Sequence, residues 1–126
     1  MSNPQQPPVF LNLFRIRFPA GAIASIAHRI SGVLLFLSLP YLAWLLNLSL
    51  QGPEGYTAAV AHLQPLWLRL ASALLVWSLL HHLIAGLRLL LIDIHIGVDL
   101  PTARLTARAT TLAAAVLALL YTWWVL

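Results

Sequence analysis

Three stretches of the chain, about residues 22–48, 66–92 and 107–126, are each long and apolar enough to cross a bilayer, which takes about 20 residues of helix. None alternates with the period of a strand. A backbone in hydrocarbon must satisfy its N–H and C=O groups within itself, so these segments are predicted to be helices. Composition points the same way. Of 126 residues, 61% are hydrophobic and 8% charged, against roughly 25% charged in soluble domains. Cysteine is absent, which removes disulfides, thiolate metal sites and a Cys nucleophile. Metal chemistry would have to come from five histidines and three carboxylates. Seven arginines give a net charge of +4 but are scattered between apolar runs, so no nucleic-acid partner is expected.

The expected architecture is one all-α membrane domain over residues 1–126, with a polar tail at 1–21 and three transmembrane helices. Residues 10–18 place Arg15 and Arg17 among apolar side chains and suit a segment lying at headgroup level. Pro40 is expected to kink the first helix. His62 and His95 are read as loop residues. Arginine sets the orientation, because short cytoplasmic segments are enriched in it. Arg15 and Arg17 precede the first span, and Arg88, Arg104 and Arg108 surround the connection after the second. The connection at 49–65 has no Arg, and only Arg69 lies near it. The N-terminus is therefore expected in the cytoplasm, with Tyr121, Trp123 and Trp124 as an aromatic belt on the other side.

A charge at bilayer depth costs about 2.5 kcal/mol or more, so polar groups inside the spans are functional candidates. Ser25, His28, Arg29 and Gly32 stand at i, i+3, i+4 and i+7, on one face of the first helix. Arg29 reaching to the headgroups and Ser25 bonding its own backbone is the bland alternative. In the second helix His82, Gly86 and Asp93 share a stripe, with His82 roughly 15 Å from the nearer end, too deep for easy escape to water. A neutral imidazole there can ligate a haem iron, and a glycine one turn away admits a flat ring. A histidine hydrogen-bonded to a neighbouring helix would look the same in sequence. His81, about 100° round the helix, faces elsewhere. If the helices run antiparallel the two clusters meet at similar depth, and both haem propionates and a quinone carbonyl suit their donors.

The segment Ser25-Ile-Ala-His28-Arg29-Ile-Ser31-Gly32 resembles the S-x-x-H-R-x-S-G signature of the cytochrome b membrane-anchor subunit of succinate dehydrogenase, complex II. His82-Leu-Ile-Ala-Gly86-Leu-Arg88, followed by Asp93, resembles that family's haem-ligand pattern H-x-x-x-G-x-R. Arg17-Phe18-Pro19 and the stretch ending Gly-Pro53-Glu54-Gly55 are similar to family segments too. Two positions depart from the pattern: Pro7-Pro8 stands where Arg-Pro is common, and Leu89 where an aromatic residue or His often follows the helix-two Arg.

The resemblance implies a bundle formed with a second anchor subunit, which would supply the other axial ligand of a shared haem b. His82 would be this chain's axial ligand to the iron, and His28 and Arg29 would meet the propionates. Ser25 and Arg29 would help form a ubiquinone site beside an iron–sulfur subunit, itself fed by a flavoprotein subunit. The setting would be a bacterial inner membrane. A structural anchor without haem, a fumarate reductase anchor, and a proton conductor using His81, His82 and Arg29 are the competing readings.

Overall fold

A computed structural model describes residues 18–126, so the headgroup-level segment expected at 10–18 lies almost wholly outside the described residues. Four helices follow one another: α1 (Ala20–Ser49), α2 (Pro53–His62), α3 (Leu66–Asp93) and α4 (Leu100–Val125). Three of them, α1, α3 and α4, are long and apolar enough to cross a membrane. The all-helical membrane architecture read from the sequence is therefore the one observed.

Each helix starts at a residue that suits a start. Pro19, with φ −65° and ψ 154°, stands before α1 and cannot itself extend a helix backwards. The helix then runs 30 residues without a break at Pro40. Losing one backbone hydrogen bond at Pro40 is tolerable where the only alternative, an open backbone in lipid, would orphan many. α4 begins at Leu100, not near residue 107 as apolarity suggested. Its start is set by Asp99, whose carboxylate accepts from the Thr102 N–H at 3.0 Å, and by Pro101 in the first turn.

The Thr102 hydroxyl, together with this N–H, holds the Asp99 carboxyl below its usual value. A lowered folded-state pKa means the cap's contribution is complete above the unfolded value of about 3.9 and fades as pH falls through the lower folded one. Asp99→Ala is accordingly expected to speed backbone hydrogen exchange in the first turn of α4 at neutral pH, with the difference closing below about pH 4. Equal exchange rates at neutral pH would remove the cap.

The ten-residue α2 is a correction to the expected loop at 49–65. Gly52, at φ 102°, turns the chain as few L-residues can, and Pro53 is preset for the first helical position. Gly55 then packs so closely on the Leu48 carbonyl that no Cβ would fit. His62 closes this helix and is not a loop residue. Its ring meets Trp44 edge-on at 5.0 Å. His95 does lie between helices, in a left-handed conformation at φ 64°.

α3 sits in the middle, packed on both α1 and α4, which also touch each other. The shared interior is made mostly of small side chains, Ala24 and Ser31 from α1, Ser78 and Ala85 from α3, and Ala107, Thr110, Ala114 and Ala118 from α4, with Leu68 and His81 of α3 the larger buried residues. Helices in lipid gain nothing by hiding leucine from leucine, so small residues that bring backbones close carry the contact. Bulky residues face outward, among them Phe36 (71% exposed) and Trp123 (88%). Arg88 ties α3 to α4, donating from Nε to Thr106 Oγ1 at 3.0 Å and from Nη2 to the Ala103 carbonyl at 2.9 Å.

Candidate functional site

The antiparallel packing of α1 on α3 brings His28 and His82 face to face, with ring centroids 4.1 Å apart and planes within 10°. Two glycines make room for the pair. A Cβ on Gly32 would stand 2.9 Å from His82 Cε1 and 3.2 Å from Nδ1, and a Cβ on Gly86 would stand 3.3 Å from His28 Nε2. Each helix thus supplies one imidazole and, one turn further along, the gap that receives the other helix's imidazole. From the sequence alone, the space at Gly86 suits a flat macrocycle. In the structure the His28 ring takes it.

The hydrogen bonds decide the tautomer of His82. Its Nδ1 lies 3.1 Å from the His28 carbonyl oxygen. A carbonyl can only accept, so Nδ1 carries the proton and donates. Ser31 Oγ, which donates to the same carbonyl at 2.8 Å, lies 3.4 Å from Nδ1 and turns a lone pair toward it. In the neutral ring this leaves Nε2 of His82 with a lone pair suited to a metal. Donation from the far nitrogen to a backbone carbonyl is also the usual way a ligating histidine is oriented and made more basic.

Adjacent histidines in the sequence have opposite fates. His82 is half-buried on the α1 side of α3, whereas His81 is fully buried in the three-helix interior. No hydrogen-bond partner meets either ring nitrogen of His81 among the described residues, and Trp77 lies against it at 5.4 Å. A sealed ring without partners can neither reach an external ligand nor hand on a proton.

The remaining polar residues of α1 divide between two edges. At 100° per residue, Arg29 is about 200° round from Ser31. Ser31 is therefore buried at the contact with α3 while Arg29 is exposed, and Ser25 lies between these extremes, half-buried. Of the face Ser25, His28, Arg29 and Gly32, the His28 and Gly32 edge meets α3, and the Ser25 and Arg29 edge opens away from this chain. No group of three or more His, Cys, Asp or Glu suited to a metal occurs among the described residues. Among the described residues His82 would thus offer a bound metal a single histidine nitrogen.

In the sequence Ser31 and Gly32 are motif positions without an evident task. The structure gives both one: Ser31 touches the His82 ring nitrogen, and Gly32 clears its place. Their spacing from His28 was the available signal.

Long helices with small residues inside, bulky residues outside and a histidine pair opening on one flank define a multi-pass membrane subunit built to pack with others. The model of the succinate dehydrogenase/fumarate reductase transmembrane subunit family matches residues 3–121. The chain belongs to that family. It is similar to the succinate dehydrogenase cytochrome b556 subunit of Coxiella burnetii, 37% identical over 105 residues that cover 79% of this chain and 81% of that protein. It is also similar to the subunit of the same name in Paracoccus denitrificans, at 32% over 107 residues, covering 82% and 80%.

Proposed function

We propose that this chain is a membrane anchor of succinate dehydrogenase in a bacterial cytoplasmic membrane, that it shares a b-type haem with a second anchor subunit, and that it helps form the site where ubiquinone is reduced. The observation that carries this is the donation from His82 Nδ1 to the His28 carbonyl, which leaves Nε2 to ligate iron. The relatives' cytochrome b names support a haem of that type. Electrons from succinate would reach the membrane through a flavoprotein and an iron–sulfur subunit docked on the cytoplasmic face. The start of α1 would lie on that face, at the same end of the bundle as Arg88, Arg104 and Arg108 around the α3–α4 connection, as the arginine distribution favours.

Within this arrangement each residue has a task. His82 holds the haem iron, His28 packs on its ring and meets the propionates, and Arg29 adds fixed positive charge for them. A bound haem supplies one-electron redox chemistry at this depth. Quinone reduction takes two electrons and two protons, and a site for it needs donors that favour the reduced, more negative oxygen over the neutral carbonyl. Ser25 and Arg29, one turn apart on the edge of α1 that opens away from α3, provide a hydroxyl that can rotate and a guanidinium that stays charged. The partner subunits complete the walls and exclude water.

The test is purification of the complex through this chain. The expected result is co-purifying flavoprotein, iron–sulfur and second anchor subunits, a b-type reduced-minus-oxidised spectrum, and succinate-dependent ubiquinone reduction. Partners without haem absorption would leave only a structural anchor. A finer check uses the clearance at Gly32. Gly32→Ala is expected to displace the His82 ring and shift or weaken the haem spectrum, whereas Gly21→Ala, with nothing within 4 Å, leaves it unchanged. Identical spectra from both variants would separate His82 from the haem.

A further inference from the structure

At the end of the bundle opposite Arg88 and Arg104, a cleft of about 500 Å³ opens between the start of α3, the end of α4 and the α2–α3 turn. Leu63, Gln64, Arg69, Ser72, Tyr121 and Trp124 line it. Its floor is tied down: Tyr121 donates to Ser72 Oγ at 3.2 Å, and Ser72 donates to the Arg69 carbonyl at 2.7 Å. Arg69 points back over the first turn of its helix and donates from Nη2 to Gln64 Oε1 at 2.6 Å. Gln64 is neutral, so the charge of Arg69 is hydrogen-bonded but not balanced.

No carboxylate side chain is placed to balance it. The chain's acids are Glu54, Asp93 and Asp99. Asp93 lies 24 residues further along the same helix, about 36 Å away, and Asp99 follows it in the next connection. Glu54 stands in the first turn of α2, at the other end of a ten-residue helix from Gln64, and lines a different cleft. The position of Arg69 is also doubly unfavourable for the chain alone. A cation in the opening turns of a helix opposes the macrodipole. A lone arginine on the side of the membrane with the fewest arginines works against topology. α3 has no side-chain cap, so its first N–H groups add positive potential, set against the carbonyl ends of α2 and α4 that also border the cleft. An anion there would offset the charge of Arg69.

The level of the cleft in the membrane decides which anion. Trp67 is 67% exposed, Trp124 82% and Trp123 88%, and together they mark the interfacial belt at that end. The anion held at that level in a bilayer is the lipid phosphate, with acyl chains running down the apolar flanks of α3 and α4. We propose that this cleft binds the headgroup of an anionic phospholipid, with Arg69 on the phosphate and Tyr121 and Trp124 at the glycerol level. A zwitterionic lipid would bring an ammonium for which the cleft has no carboxylate. This site is separate from the histidine pair and stands or falls without it.

The intact complex, exchanged into nanodiscs of phosphatidylethanolamine with or without phosphatidylglycerol, provides the test by native mass spectrometry and thermal unfolding. Phosphatidylglycerol is expected to stay bound to the wild type and raise its unfolding midpoint, and Arg69→Gln is expected to lower retention about fivefold or more. Gln64→Glu, which hands Arg69 an internal counterion and keeps the fold, should release the lipid as well. Arg104→Gln, an exposed arginine at the other end, should retain it. Equal retention by wild type, Arg69→Gln and Gln64→Glu would overturn the proposal. So would equal retention of phosphatidylethanolamine, or the same rise in midpoint from inorganic phosphate alone.

Discussion

His82→Ala is expected to abolish the b-type haem spectrum of the assembled complex, leaving the soluble flavoprotein and iron–sulfur subunits able to oxidise succinate with an artificial acceptor. The substitution removes the one imidazole whose tautomer is set for ligation by donation to the His28 carbonyl. It also leaves that carbonyl with the Ser31 hydroxyl as its side-chain donor and opens a hole beneath the stacked His28 ring. The histidine next to it in sequence cannot substitute. His81, although adjacent in sequence, is sealed among Trp77 and the small residues of the interior, and no rotation of α3 short of repacking all three helices would bring it to the flank. A preserved spectrum in His82→Ala would therefore assign the iron to another residue, whereas a lost spectrum with intact subunit stoichiometry would separate ligation from assembly.

Arg29→Ala is expected to lower succinate:ubiquinone reductase activity on the order of 10²-fold, the usual cost of losing one preorganised donor from a site where negative charge develops. Succinate oxidation with a soluble acceptor should be unchanged, because that chemistry needs no group in this chain. Arg29→Lys keeps the charge and loses the planar fork, so it should recover part of the rate and less of the quinone affinity. Arg29 is exposed on the flank of α1 turned away from α3. Loss through collapse of this chain is thus not expected, and equal loss of both activities would count against a quinone contact. Haem absorption should persist in this variant, which distinguishes it from His82→Ala.

Most of the fold was legible because the signal is physical and long. Twenty consecutive apolar residues satisfy their backbone within one segment of lipid only as a helix, and each of the three such runs lies in a long helix. Short or half-polar features were harder. The ten residues of α2 and the first two turns of α4 sit where the chain leaves hydrocarbon, so their signals are local: Gly52-Pro53 for one, Asp99 with Pro101 for the other. A reading led by apolarity passes over both. Half of the candidate site was legible in the same sense. Helical spacing put His28 with Gly32 and His82 with Gly86, and antiparallel packing brought these pairs together. That the glycines would exchange clearances with the opposite histidines, or that Ser31 and not Arg29 would turn toward α3, depends on the rotation of α1 against α3. Interhelical packing sets that rotation, and no single helix encodes it.

The alanine, serine and threonine interior has a bearing on which changes this chain can survive. In a soluble domain the centre is large and apolar, so shrinking it is the common injury. Here most of the centre is already small, and growth is the danger: a methyl added at Ala107 or Ala114, both 0% exposed, would push two helices apart along their length. At the periphery, exchange of one bulky apolar residue for another at Phe36 or Leu119 meets only lipid or a neighbouring subunit with room to adjust. A saturation map of this protein should therefore look like the negative of a soluble protein's map, intolerant where residues are smallest and permissive where they are largest. The two glycines beside the histidine pair would stand among its least forgiving positions.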